Sequence, residues 1–437
     1  SLSPFTFLAI PTSAAEQLVC ARNWAASFAP YVQQRETLGF CFSKTPKPRL
    51  QIGYLSADLR QHPVACLIAE LFELHDRSRV EVVAYSIGAD DGSDLRKRLV
   101  SACDRFVDLT ALSYVEAACA IHKDGIDLLV DLQGYTRLAR TPILALRPAP
   151  IQVNWLGYPG TMGAEFMDYI ITDRFISPPD HAPFFSEKLV SLPDCYQIND
   201  RTRQIARKAP TRRACGLPAR GFVFCCFNST NKIMAPVFDV WMRLLRAVEG
   251  SVLWLLEANS GTIANLRREA SVRGVAPDRL VFAPRASLEN HLARHRLADL
   301  FLDTVPYNAH VTASDALWAG LPVLTCSGET FASRVAGSLL TAIRLPELIT
   351  ASLSEYETRA LQLARNPSEL AGLRERLSKN RLTTPLFDSE RFTRHLERAY
   401  RMMWERYLSG ETPHHIEVPA FPPRKKGSAK RRTTRKA

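Results

Sequence analysis

Leu300-Phe301-Leu302-Asp303 leads into Pro306-Tyr307-Asn308-Ala309-His310-Val311-Thr312-Ala313-Ser314-Asp315-Ala316-Leu317-Trp318-Ala319-Gly320. The first four residues read as a buried strand, and an apolar helical pattern opens after the loop. Thr312 or Ser314 can cap that helix. A strand, a loop and a helix start are the βα unit of an α/β protein. The free N–H groups and dipole at the helix start also make such a loop an anion site. Asp315 falls one turn inside, where a carboxylate can take ribose hydroxyls, so the stretch suits the diphosphate of a nucleotide. Taken alone, the ordinary βα junction is the favoured reading.

The same alternation extends in both directions. Towards the N-terminus, strands are expected at residues 49–56, 80–85, 105–109, 127–132, 151–156, 169–172 and 188–192, with helices at 64–74, 93–102 and 114–122. A polar, basic stretch at 199–213 reads as an interdomain link. The pattern then restarts, with strands at 222–227, 251–256, 279–282, 300–303 and 322–326 and helices between them. Two or three more helical segments fill 353–408, and another helix is expected at 13–28. Short β-branched runs alternating with helices predict parallel, doubly wound sheets, whose ligands bind at the carboxyl ends of the strands. The division is 1–46 (helical junction), 47–205 (first α/β domain), 206–410 (second α/β domain with closing helices) and 411–437 (disordered basic tail). No repeat of tetratricopeptide spacing occurs.

At 437 residues, 46% of them hydrophobic, the chain suits two globular domains. Its net charge is +12, but Arg424, Lys425, Lys426, Lys430, Arg431, Arg432, Arg435 and Lys436 supply eight positives, leaving +4 for the rest. The body is therefore not a nucleic-acid-binding domain by charge, and nucleic-acid binding by the tail is not expected. Ten cysteines without a C-x-x-C pair, several in apolar runs (Cys66, Cys119, Cys225, Cys226, Cys326), read as buried free thiols. No apolar run has membrane-spanning length and no signal peptide opens the chain, so a cytoplasmic protein with no membrane partner is expected.

His62, in Ser56-Ala57-Asp58-Leu59-Arg60-Gln61-His62-Pro63-Val64, follows the first strand and is either a general base or a structural loop histidine. Lys232, in Phe227-Asn228-Ser229-Thr230-Asn231-Lys232, can neutralise a departing diphosphate; alone, a solvated loop lysine is the favoured reading. His291 and Arg294, in Ala286-Ser287-Leu288-Glu289-Asn290-His291-Leu292-Ala293-Arg294, flank either a base or nothing more than a helix surface. There is no G-x-x-x-x-G-K-[ST] loop, G-x-G-x-x-G fingerprint, H-E-x-x-H helix or G-x-S-x-G elbow. Asp-x-Asp is absent too, so a leaving diphosphate would have to be held without a metal, by Lys232 and the helix start near Thr312.

These clusters resemble the catalytic region of the O-GlcNAc transferase and SPINDLY-like family. The resemblance is carried by Gly53-Tyr54-Leu55-Ser56-Ala57-Asp58 with His62-Pro63-Val64, by Leu146 to Thr161 including Trp155-Leu156-Gly157-Tyr158-Pro159-Gly160, by Phe166-Met167-Asp168-Tyr169-Ile170, and by the Pro306–Gly320 stretch with Gly328-Glu329-Thr330-Phe331-Ala332-Ser333-Arg334. It implies a GT-B fold, two Rossmann-like domains facing a cleft, and a metal-independent, inverting transfer of a sugar, with GlcNAc from UDP-GlcNAc as the main expectation, to Ser or Thr of acceptor proteins. No cofactor is implied. By resemblance the base falls on His62 and the diphosphate lysine on Lys232. Nucleotide contacts fall on Ser229, Ala286, Ser287, Leu288, His291, Arg294, His310, Val311, Thr312 and Asp315.

Departures are Asn231 where an aromatic usually precedes the lysine, Ser229 in place of an amide, Leu288 in place of a basic residue, and Val311 in place of Thr. The tetratricopeptide array usual in the family is not in these residues, and acceptor selection is expected to lie in an N-terminal part outside them. Alternatives are a GDP-fucose-dependent protein O-fucosyltransferase of the SPINDLY type and a non-catalytic nucleotide-sugar-binding scaffold.

Overall fold

Apolar runs flanked by helical patterns become buried parallel strands because helices cover both sheet faces. The computed structural model describes residues 2–421. The first sheet contains β1 (Leu50–Ser56), β2 (Val80–Ser86), β3 (Arg105–Asp108), β4 (Leu128–Asp131), β5 (Ile151–Asn154), β6 (Tyr169–Asp173) and β7 (Lys188–Leu192). The second contains β8 (Val223–Cys226), β9 (Val252–Leu256), β10 (Leu280–Ala283), β11 (Leu300–Leu302), β12 (Val323–Cys326) and β13 (Ile349–Thr350). A last strand, β14 (Ile416–Glu417), returns to the edge of the first sheet.

The strand orders are β14-β7-β6-β5-β4-β1-β2-β3 and β10-β9-β8-β11-β12-β13, and every pairing is parallel. Each order reverses once, between β1 and β4 and between β8 and β11. At such a switch point the two neighbouring crossovers leave to opposite faces and open a crevice at the strand carboxyl ends. The loops after β1, β4, β8 and β11 are therefore the ones that build a site.

The N-terminal segment carries helices Pro4–Phe7, Ala14–Ala25 and Ala29–Leu38. Ser13 and Glu16 form a capping box at the second, and left-handed Gly39 ends the third. Trp24 and Phe28 pack on Tyr135, and Phe5 on Tyr307, so this segment reaches the cleft instead of standing apart from it.

Two expectations are corrected, one on the C-terminal stretch and one on the cysteines. The stretch from 411 is not all tail, because Ile416 and Glu417 pair with Val190 and Ser191; the eight basic residues at 424–436 lie outside the described residues. Within the 199–213 link, Asn199, Asp200 and Arg203 are buried, with partners on both domains: Arg98 on the first, Leu386, Ser389 and Asp315 on the second. Cys119 is exposed and Cys66 half-buried, whereas Cys225, Cys226 and Cys326 are buried and all ten thiols are free.

The closing helices are Leu353–Arg365, Pro367–Asn380 and Ser389–Leu408. The last packs on the helix Pro63–Leu74 of the first domain although it follows the second. His75 joins Tyr54 Oη and Glu397 Oε1, both at 2.9 Å, to make that contact specific. Among the described residues no helix is long and apolar enough to cross a membrane.

Candidate active site

The loops after β1, β4, β8 and β11 meet around a cleft of about 770 Å³ lined by His62, Ser229, Lys232, His310, Val311 and Thr312, among others. A larger cavity, about 1060 Å³, lies between the helices Pro63–Leu74 and Ser389–Leu408 and has none of the strand-end loops in its lining.

Lys232 closes a single 3-10 turn, Thr230–Lys232, after β8. Its Nζ donates to Asn308 O at 2.9 Å and sits 3.5 Å from the centroid of the Tyr307 ring. A cation over a ring face is held by the ring quadrupole without being neutralised, so it stays available to an anion. Burial pulls the Lys232 ammonium down to about 8, opposed by the nearby Asp303 carboxylate. Asp303, at the end of β11, accepts from the Thr304 and Ala309 N–H groups at 2.7 and 2.6 Å and from Thr325 Oγ1 at 2.6 Å. One buried carboxylate thus shapes the loop that carries Tyr307 and Asn308.

The helix Val311–Ala319 begins at His310 without a side-chain cap. Neither Thr312 nor Ser314 caps it, contrary to expectation: Thr312 Oγ1 donates to Asn228 Oδ1 and Ser314 Oγ to Asn199 Oδ1. Both hydroxyls are used for tertiary contacts, which leaves the first N–H groups of the helix facing the cleft with no side chain of their own to satisfy them.

Across the cleft, His62 is the N-cap residue of Pro63–Leu74 and its side chain is 36% exposed. Its Nδ1 is 3.3 Å from the Val64 N–H and 3.5 Å from Asp58 Oδ2. One neutral tautomer cannot serve both: accepting from Val64 puts the proton on Nε2, whereas donating to Asp58 frees the Nε2 lone pair as a base. Desolvation lowers the His62 pKa, partly offset by Asp58. Buried Gln133 holds this loop: its Oε1 accepts from Ser56 Oγ and the Ala57 N–H, both at 3.0 Å, and its Nε2 donates to Asp58 Oδ2 at 3.1 Å.

The remaining positions do not line this cleft. Ala286 and Ser287 are exposed and Leu288 half-buried at the start of Leu288–Arg294. His291 and Arg294 form a second group beside Phe227, with Arg294 4.6 Å over that ring and its Nη2 bonded to His291 Nδ1. Burial pulls His291 down to about 2, so it is neutral. Asp315 joins the two groups, lying 4.0 Å from His291 Nε2, and it is paired with Arg203 instead of standing free.

Tyr307, Asp303, Asn308, Asn228, Gln133 and Arg203 escape a reading of the sequence as site residues. For Tyr307 and Asn308 the signal was present, since they sit inside the decisive loop. Arg203 gave none, because its partner is more than a hundred residues away.

Two Rossmann-type sheets with a cationic, helix-terminated loop at the switch point of the second define a GT-B type glycosyltransferase fold. The chain belongs to glycosyl transferase family 41, whose model matches residues 31–209 and 206–396. It is 42% identical over 376 residues to the probable UDP-N-acetylglucosamine–peptide N-acetylglucosaminyltransferase SEC of Arabidopsis thaliana, covering 85% of this chain and 38% of that protein. It is 32% identical over 487 residues to the UDP-N-acetylglucosamine–peptide N-acetylglucosaminyltransferase of Caenorhabditis elegans, covering 86% and 42%. The chain thus spans about two fifths of the length of these curated relatives. A mutant of the Thermobaculum terrenum O-GlcNAc transferase superposes with a TM-score of 0.80 at 33% identity, over 92% of this chain and 76% of that one.

Proposed function

We propose that the chain transfers GlcNAc from UDP-GlcNAc to Ser or Thr hydroxyls of acceptor proteins, with inversion and without a metal. The observation that carries this reading is the placement of Lys232 Nζ, 3.5 Å over Tyr307, beside the uncapped start of Val311–Ala319 and across the cleft from His62. The acceptor oxygen forms its bond to the anomeric carbon from the His62 side. The bond from that carbon to the β-phosphate oxygen breaks, and UDP takes the electron pair. The hydroxyl proton passes to His62 Nε2 in the tautomer whose Nδ1–H faces Asp58. Charge growing on the diphosphate is met by Lys232 and by the N–H groups of Val311 and Thr312. Ser229 and His310 border the same pocket, and Ala286, Ser287, Leu288, His291, Arg294 and Asp315 take the nucleoside end.

A thermal-shift series with UDP, UDP-GlcNAc, GDP and GDP-fucose, each with and without EDTA, tests the donor. Stabilisation by the uridine compounds alone, unchanged by EDTA, is expected, because a ligand that binds only the folded state raises Tm by mass action. Stabilisation by the guanosine compounds alone would move the chain to the fucosyl reading.

A further inference from the structure

Arg203 and Asp315 form an ion pair whose side chains are 2% and 8% exposed. The contact has one prong: Arg203 Nη1 donates to Asp315 Oδ1. The guanidinium is fixed from elsewhere, since its Nε donates to Asp200 O at 2.9 Å, its plane lies over the Trp318 ring at 5.9 Å, and the Trp318 indole N–H donates to Arg203 O at 3.2 Å. A guanidinium normally meets a carboxylate with two parallel bonds when both oxygens are available. Here Nη2 stays buried without a partner. A buried donor left unpaired is costly, so the one-pronged geometry needs a reason.

The reason lies at the other oxygen. Asp315 Oδ2 faces His291 Nε2 at 4.0 Å, too far for a hydrogen bond. His291 Nδ1 is occupied by Arg294, which can only donate, so the neutral ring carries its proton on Nε2, towards Asp315. Burial raises the Asp315 pKa, and the Arg203 charge offsets that only in part. Geometry sets the orientation: Arg203 holds Oδ1, and Oδ2 is left as the open acceptor oxygen.

We infer that Arg203 is a positioning residue that holds Asp315 with Oδ2 directed to a ribose hydroxyl of the bound nucleotide. The inference rests on the nucleotide-binding reading of this region. It assigns part of donor recognition to a residue outside the second sheet and its helices, on the segment that follows β7.

The test is calorimetric binding of UDP, 2′-deoxy-UDP and 3′-deoxy-UDP to the full chain and to its Arg203→Met and Arg203→Lys variants. The wild-type chain should lose roughly 10- to 100-fold in affinity when the hydroxyl that meets Oδ2 is removed. Arg203→Met should bind UDP about as weakly as the wild type binds that deoxy nucleotide and no longer distinguish the two. Arg203→Lys should recover part of the discrimination. Equal weakening towards UDP and the deoxy forms in Arg203→Met would mean a merely structural role and overturn the inference, as would unchanged UDP binding. If Arg203→Met does not fold, the lysine variant decides, since undiminished discrimination there refutes the positioning role. A wild type that binds UDP without reading either hydroxyl overturns the inference alone, whereas a wild type that does not bind UDP overturns the nucleotide reading beneath it.

Discussion

Replacing Lys232 with Ala removes the one ammonium that touches both Asn308 and Tyr307. Two unit charges about 4 Å apart near a protein surface, at an effective dielectric of about 20, interact by about 4 kcal/mol. Discounting for the open side of the cleft leaves about 3 kcal/mol for the charge that develops as the sugar bond breaks. That corresponds to roughly 100- to 1,000-fold in kcat, the usual loss when one preorganised donor is removed. The assay is UDP release with a Ser/Thr peptide at saturating donor, with donor affinity measured separately. The wild type should also lose kcat above about pH 8, because burial has drawn the ammonium to that value and only the charged form serves. Lys232→Arg, charged throughout, should move that alkaline limb upwards even if its geometry lowers the plateau. Lys232→Ala with more than a tenth of the wild-type kcat at saturating donor would refute the leaving-group role.

On the acid side, kcat/KM should rise with one proton's slope through a pKa below the usual histidine range, because burial lowers His62 and only its neutral form accepts a proton; His62→Gln should abolish that limb. Tyr307→Phe, which keeps the ring face, should retain near-wild-type turnover, while Tyr307→Leu should lose about tenfold, read by steady-state kinetics. Gln133→Leu strips the Ser56–Asp58 loop of its hub and should cost about 2–4 kcal/mol by urea unfolding, together with most of the turnover. Gly157→Ala would place a Cβ 1.9 Å from Leu132 O at the cleft wall, so a fall in Tm and in turnover is expected together.

The sheets were legible because their strands are apolar runs set off by turn residues: the expected 188–192 is observed unchanged as β7, and the expected 80–85 grows by one residue to Ser86. The two-residue strands β13 and β14 carry no period of their own; tertiary partners alone make them strands. His62, Lys232 and the Pro306–Gly320 loop could be singled out because each follows directly on an apolar strand run, but local sequence left their roles open and only the family resemblance assigned them. Caps were not legible, since Thr312 and Ser314 have the chemistry of cap residues but spend their hydroxyls on Asn228 and Asn199, a choice set by distant chain. The Arg203–Asp315 pair was hidden for the same reason, and it changes how Asp315 is read, from a free ribose acceptor to one shared with a guanidinium.

The return of β14 to β7 also sets an order of assembly. About 220 residues separate the two strands, and the helix that covers Pro63–Leu74 is made late as well. At about 5–20 residues per second, the first sheet waits on the order of 10–40 s during synthesis with an open edge and an uncovered helix face. A severed first domain would keep both indefinitely, so the two sheets are better regarded as one folding unit that closes from its far end than as two modules joined by a linker.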